Sequence, residues 1–278
     1  MRCDLHMHSR FSDGTLEVEA LVEALHAAQV SVFSLTDHDT LAGLARADAA
    51  AKSRGLELIP GVEISTRIDA LELHILGYGF DVEHAGLNEA LAGQRAAREG
   101  RIPQIVARLV ELGVALTLDD VYREAAGAAV PGRPHVARAL VRRGLVRDTE
   151  EAFRRYLGDA GPAQIKKNVP DPGTAIGWIH AAGGKAVWAH PLARTIQRPG
   201  GFELLLRELK AQGLDGVEEV HPGQDPGARR RIRKLARELG LKLTGGSDFH
   251  GDASPGVSLG VGRGHDDVPV SVVDALLA

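Results

Sequence analysis

Alternation constrains this chain more than any single residue does. Short apolar runs suited to strands begin at Arg2 ("RCDLHMHS"), Ser31 ("SVFSLTDHD"), Leu56 ("LELIPGVEIS"), Leu71 ("LELHILGYGF"), Lys185 ("KAVWAHP"), Gly216 ("GVEEVHP") and Leu241 ("LKLTGGSDFH"). Amphipathic helical patterns separate most of them. After the first run, Thr15 is a plausible N-cap for a helix with Val18, Leu21, Val22 and Leu25 on one face and Glu17 and Glu19 near its positive end. The same unit recurs in "TLAGLARADAAAKSRG", "DPGTAIGWIHAAGG" and "DPGARRRIRKLARELG", each closing near a glycine. Strand and helix in alternation predict an α/β fold on a parallel sheet, with enough strands to close or nearly close a TIM-like barrel.

The alternation stops after the fourth run. From about residue 82 to 170 the strand signal vanishes and helical stretches such as "IPQIVARLVELG" and "RPHVARALVRRG" follow one another. The expected organisation is a barrel formed by residues 1–81 and 171–278, with a helical subdomain, residues 82–170, inserted and capping one end. A chain of 278 residues with 44% hydrophobic content can bury one such core and an appended one. Net charge is −4, yet residues 95–167 carry 14 Lys and Arg against 9 Asp and Glu, leaving −9 for the rest. The insert is a basic piece in an acidic frame, and the overall balance argues against a general coat for duplex nucleic acid. No apolar run near the N-terminus approaches the roughly 18 residues a membrane span needs, so a cytoplasmic protein without a membrane partner is expected. The single cysteine, Cys3, excludes an internal disulfide framework and thiolate-rich zinc sites, so any metal must use histidine and carboxylate.

Those side chains sit where a barrel would gather them. The strand ends carry His6 and His8, then Asp37, His38 and Asp39, then Glu63, His190, His221, and Asp248 with His250, while the fourth strand carries His74. In a parallel barrel the carboxyl ends share one rim, and period-2 geometry puts His6 and His8 on one face. A single strand-end histidine is ordinarily a hydrogen-bonded structural residue. Collecting this many imidazoles and carboxylates at one rim is costly unless a cation compensates them, so a metal site is expected.

The ordered series "DLHMHSRFSDG", "SLTDHDT", "GVEIS", "LHILGY", "WAHP" and "GGSDFHG" resembles the motifs of the PHP (polymerase and histidinol phosphatase) family, over nearly the whole chain outside the insert. The resemblance implies a distorted (β/α)7 barrel with two to three divalent metals at its rim. Carried over by motif, His6, His8, Glu63 and Asp248 would hold one metal, Glu63 would bridge to a second held by His74 and His190, and Asp13, His38 and His250 would hold a third. Manganese is favoured, and iron or zinc would suit the same ligands. The chemistry implied is phosphoester hydrolysis, with Glu63 as the bridging carboxylate and His38, His221 and His135 as candidates for leaving-group protonation.

Within the family the chain is similar to the branch of 3',5'-nucleoside bisphosphate phosphatases, some of which are also 5' to 3' exoribonucleases. The expected substrate is a small nucleotide carrying both phosphates, with short 5'-phosphorylated RNA as a second. In "PGRPHVARAL", Pro134 suits a first helical turn, which puts Arg133 and His135 at a helix N-terminus able to receive an anion. Ser9, Arg10, Arg67 and Arg194 follow strand ends and are weaker substrate-side candidates. The alternatives are another phosphomonoesterase, such as a histidinol-phosphate phosphatase, and a metal-stabilised binding module without turnover.

Overall fold

A computed structural model describes residues 2–69, 71–125, 131–158, 161–165, 168–192, 200–251, 256–260 and 267–278. Its strands form two sheets. The first has the order β3 (Glu57–Leu58), β2 (Val30–Phe33), β1 (Arg2–Asp4) and β9 (Val268–Pro269), and the second runs β4 (Gly61–Ile68), β5 (Leu71–Tyr78), β6 (Lys185–Trp188), β7 (Gly216–Val220) and β8 (Lys242–Gly245). β1–β2–β3 and β6–β7–β8 are parallel. β5 is antiparallel to both β4 and β6, and β9 is antiparallel to β1.

The two sheets touch at both seams through isolated parallel bridges, Met7 with Phe249 and His38 with Glu63. A continuous ladder does not close the ring among the described residues, so the architecture is a mixed α/β pair of sheets where the alternation pattern predicts one uniform parallel barrel. Two local causes are visible. The run at Leu56 breaks at Pro60, which cannot donate to a ladder, so β3 stays in one sheet and β4 crosses into the other. β4 and β5 then form a hairpin whose short turn, with Asp69 at φ +54°, leaves no room for a crossover helix.

Helices α1 (Val18–Ala27), α2 (Leu44–Arg54), α8 (Pro172–Ala181), α9 (Gly201–Ala211) and α10 (Pro226–Leu239) cover the sheets. Their apolar stripes join sheet residues in the largest core, which includes Leu21, Leu25, Phe33, Ile64, Ile75, Ile179, Trp188, Leu205 and Ile232. α1 opens at Glu17 rather than at Thr15, whose N–H donates instead to the His250 carbonyl, tying the loop after β1 to the end of β8. The closing helix α11 (Ser271–Leu277) packs Val273 and Leu276 into a smaller cluster with Cys3, Tyr78 and Val268.

Between β5 and α8 lie α3 (Ala85–Glu99), α4 (Arg101–Glu111), α5 (Leu118–Glu124), α6 (Arg133–Arg142), α7 (Thr149–Ala152) and a π-helical turn, Phe153–Leu157. α4 repeats apolar residues at Ile102, Ile105, Val106 and Leu109, one helical face. These meet Val121, Val136, Leu140 and Leu157 in a separate core. α3 behaves differently, since Leu87 and Leu91 belong to the main core. Thr117 and Asp120 close a reciprocal capping box at the start of α5. No helix among the described residues is long and apolar enough to cross a membrane.

Candidate metal centre

Beyond Asp4 the chain stays extended, with Leu5 N–H donating to the Gly245 carbonyl at 3.2 Å and Met7 bridging Phe249. His6 and His8 therefore point the same way, and both are fully buried. Asp4, also fully buried, fastens this segment. Its carboxylate accepts the N–H groups of His6 (3.3 Å), Ser247 (2.9 Å) and Gly260 (2.7 Å). The segments after β1 and β8 approach so closely that a Cβ on Gly246 would lie 2.4 Å from the His6 Cβ. Asp37 accepts the Ser9 N–H at 2.8 Å and the Ser9 and Ser12 hydroxyls at 2.6 Å each, holding the loop that delivers Asp13. Asp39, at φ +55°, accepts the Ser65 N–H at 2.8 Å and so ties the segment after β2 to β4.

His190 (φ +33°) and Asp248 (φ +50°) follow β6 and β8 with left-handed backbones. For residues other than glycine such conformations cost of order 1–3 kcal/mol and persist only where surrounding structure imposes them. Among the described residues, three of the five non-glycine residues with positive φ, Asp39, His190 and Asp248, lie at this rim. The strain is concentrated where side chains must be aimed.

The aimed groups converge. Ligand atoms of His6, His8, Glu63 and Asp248 lie within 4.8 Å of one another, as do those of His8, Asp13, His38 and His250, and those of His38, Glu63 and His74. Glu63 is central: Oε1 lies 2.7 Å from His74 Nδ1 and 3.1 Å from His190 Nε2, and Oε2 lies 3.1 Å from both His8 Nε2 and His38 Nδ1. Burial would raise its carboxyl, but His38, His74 and His6 hold it well below the usual carboxylate range. Burial would likewise lower the His8 imidazole, but the Asp248 and Glu63 carboxylates beside it carry it up to about 10. At His190 burial prevails and the imidazole is lowered.

The donor set suits a divalent cation. His6 Nε2 and His8 Nε2 are buried without a hydrogen-bond partner, although carboxylate oxygens of Glu63 and Asp248 stand 3.1–3.3 Å away. Nitrogen lone pairs and carboxylate oxygens facing one another across a dry gap are what a shared cation would satisfy. The outward nitrogens agree. His6 Nδ1–H donates to Glu218 Oε1 at 3.0 Å and His250 Nδ1–H to the Asp248 carbonyl at 2.9 Å, an arrangement that in the neutral imidazole directs a lone pair on each Nε2 toward the cluster.

Glu218 escaped the sequence reading. Wholly buried in β7, it also accepts the His190 N–H at 2.7 Å through its other oxygen, and Gln224 Nε2 donates to its carbonyl. The consecutive glutamates of "GVEEVHP" held the signal, since in a strand one must face inward. Its neighbour Glu219 turns the other way, to Arg229 and Arg233. His221 stands beside Asp248: its Nδ1 accepts the Gly223 N–H at 2.9 Å, so the proton resides on Nε2 and is offered to Asp248 Oδ2 at 3.2 Å.

The predicted substrate-side residues are placed less uniformly. Ser9 is buried and engaged with Asp37 and the Phe11 N–H. Arg10 pairs with Glu17 at 3.4 Å. Arg133 donates to the Leu157 carbonyl and to Glu72 Oε2 at 3.3 Å, while Arg67 takes the other Glu72 oxygen at 2.8 Å. His135, buried, accepts the Gly132 N–H at 3.0 Å and caps α6. Arg194 lies outside the described residues. Two arginines that the sequence reading passed over reach the rim: Arg138 of α6 donates to the Asp13 carbonyl at 3.2 Å, and Arg95 of α3 to the Asp39 carbonyl at 3.4 Å.

Comparison with known proteins is consistent with this geometry. Residues 4–84 match the PHP domain. A 5'-3' exoribonuclease of Haemophilus influenzae is 41% identical over 247 residues, 89% of each chain. A 3',5'-nucleoside bisphosphate phosphatase of Chromobacterium violaceum is 35% identical over 264 residues, 92% of this chain and 90% of that one. The structure of an amidohydrolase from Chromobacterium violaceum, with bound sulfate, superposes with a TM-score of 0.89 at 32% identity, covering 100% of this chain and 99% of that one. Similar along its length to such enzymes, and gathering the histidines and carboxylates of the matched segment at one rim, the chain belongs to the PHP family of metal-dependent phosphoesterases, hydrolases of phosphoric ester bonds.

Proposed function

We propose that this protein hydrolyses the 3'-phosphate of nucleoside 3',5'-bisphosphates to give 5'-nucleotides, and trims short 5'-phosphorylated RNA from its 5' end by the same reaction on a larger leaving group. The observation that carries the reading is the meeting of opposite charges: arginines from the basic segment 82–170, Arg95 and Arg138, dock against the strand ends that hold Asp13, His38 and Glu63. A doubly charged substrate matches a cationic wall over a metal-binding floor. Two of its relatives are a bisphosphate phosphatase and an exoribonuclease, and a structure of the same fold holds bound sulfate, an anion shaped like phosphate.

On this reading residues 1–81 and 171–278 act as one distorted barrel unit and residues 82–170 as its cap. His6, His8, Glu63 and Asp248 would hold one cation, Glu63 with His74 and His190 a second, and Asp13, His38 and His250 a third, with His8 and His38 near enough to serve adjoining sites. Two to three divalent ions held there, manganese favoured, would activate water near neutral pH and offset phosphoryl charge.

The rest is the work of the chain. Glu63, with both oxygens engaged by imidazoles, fixes the spacing of the ligands. His221 holds its proton on Nε2, beside Asp248, and is placed to hydrogen-bond the departing 3'-oxygen. His38, with Nδ1 toward Glu63 and Nε2 toward Asp13, is better placed as a ligand than as a proton donor. α6, which opens with Arg133 and His135, supplies the 5'-phosphate side, and Ser9 and Arg10 shape the loop between that side and Asp13. Phosphate release by manganese-loaded protein from adenosine 3',5'-bisphosphate, beside 5'-AMP, 3'-AMP and histidinol phosphate, tests the reading. Preference for the bisphosphate with 5'-AMP as product supports it, and preference for a monophosphate ends it.

A further inference from the structure

The arginines at the rim are not alike. Arg133 and Arg67 both engage Glu72, so each already has a carboxylate within ion-pair distance. Arg138 and Arg95 are half-buried, and the only protein hydrogen bonds found for them among the described residues are to backbone carbonyls, those of Asp13 and Asp39. A guanidinium offers five N–H donors in a planar fork. Among the described residues one carbonyl leaves most of that fork unengaged; Asp13 and Glu124 act on Arg138 only through space, and a partly desolvated cation is better completed by an anion within hydrogen-bond reach.

The carbonyl contacts also direct the two side chains. Asp39 follows His38 in sequence, and the His38 Nε2 lies 3.7 Å from the Asp13 carboxylate. Arg138 thus attaches at the backbone of a residue whose carboxylate faces His38, and Arg95 at the backbone of the residue after His38, and both leave the Asp13 carboxylate to the imidazoles of His250 and His38. They add positive charge beside the metal-binding groups without competing for their ligands.

We propose that Arg138 and Arg95 form the anion subsite for the phosphate that is not cleaved, making them the residues that select a substrate with two phosphates over one with a single phosphate. This rests on the bisphosphate reading above. It assigns the recognition of the second phosphate to the middle of α6 and to α3, and it leaves Arg133 as the residue that secures α6 to β5 through Glu72.

The test compares kcat/KM for adenosine 3',5'-bisphosphate and for 3'-AMP, which lacks the second phosphate, in the manganese-loaded wild type and in Arg138→Met, Arg138→Lys and Arg95→Met. Both substrates are measured on the same preparation, so their ratio does not depend on the fraction of folded enzyme. Loss of a charge-assisted hydrogen bond predicts a fall in the ratio of about tenfold or more for Arg138→Met. Arg138→Lys, which keeps the charge without the fork, should recover part of it, and Arg95→Met should lower it as well. A ratio equal to that of the wild type in the Arg138 and Arg95 variants overturns the subsite while leaving the bisphosphate reading intact. A wild type that does not prefer the bisphosphate overturns that reading and the subsite with it.

Discussion

Replacing Glu218 with Gln tests whether the rim is built as a metal centre or merely as a network of ion pairs. The carboxylate makes two contacts that both require an acceptor, with His6 Nδ1–H at 3.0 Å and the His190 N–H at 2.7 Å. A carboxamide can satisfy only one. If its oxygen faces His6, its NH2 confronts the His190 N–H and the strained backbone at φ +33° loses its tether. If its NH2 faces His6, the imidazole must place its proton on Nε2, the nitrogen directed at Glu63 and Asp248. The first outcome leaves buried donors unsatisfied, at about 1–3 kcal/mol, and the second puts a proton on the nitrogen a metal would need. Loss of such a brace costs a metal site about 10- to 100-fold in affinity. Titration calorimetry of manganese into metal-free protein should show that weakening for Glu218→Gln while far-UV circular dichroism stays that of the wild type. Manganese binding within twofold of the wild type would refute the claim that Glu218 sets the His6 tautomer.

Metal loading should depend on pH in a definite direction. With the metal-free His8 imidazole at about 10, a proton must leave it for the metal to bind, so apparent manganese affinity should rise between about pH 6.5 and 8.5 and binding heats should vary with buffer ionisation enthalpy. The same raised value stabilises the metal-free fold fully below the unfolded value of about 6.5, and that stabilisation is lost as pH rises through about 10. The difference in Tm between loaded and metal-free protein should therefore widen on the alkaline side, and a gap that narrows would contradict it. Gly246→Ala forces a Cβ against His6, so metal content measured by mass spectrometry should fall below that of the wild type even in folded protein. Glu72→Ala leaves Arg67 and Arg133 facing each other without their shared carboxylate and should destabilise by about 1–3 kcal/mol in urea unfolding, more than Arg133→Ala, which leaves Glu72 paired with Arg67.

Local pattern made most of the elements readable. The apolar spacing of Val18, Leu21, Val22 and Leu25 is the buried face of α1, and Gly55 and Gly240 end α2 and α10 in left-handed conformations, as their position after helical runs implies. Strand direction was less legible, because periodicity is blind to it. Leu71–Tyr78 reads the same in a parallel or antiparallel ladder, and only the turn at Asp69 decides in favour of a hairpin. β9 and α11 escaped notice because two bridged residues and a seven-residue helix carry too little pattern to stand out from the "DVPVSVVDALLA" that contains them.

For the site, the limit lay between ligands and the groups that hold them. Histidines and carboxylates at strand ends are conspicuous because a strand end is an expensive place for them, so His6, His8, Glu63, His74 and Asp248 could be named from residue type and position, and they do converge. Asp4 and Glu218 resemble ordinary strand carboxylates, and their role exists only in three dimensions, where Asp4 collects N–H groups from His6, Ser247 and Gly260 and Glu218 joins His6 to His190. The arginines divide in the same way. Arg133 looked like the anion site because it begins a helix, yet Glu72, 61 positions away, already holds its side chain, whereas Arg138, mid-helix and unremarkable in sequence, reaches Asp13 across 125 positions. A helix terminus advertises a partial positive charge that a sequence can show. Which charges are left unmatched is settled by tertiary contacts, and for an anionic substrate the unmatched ones decide where it rests.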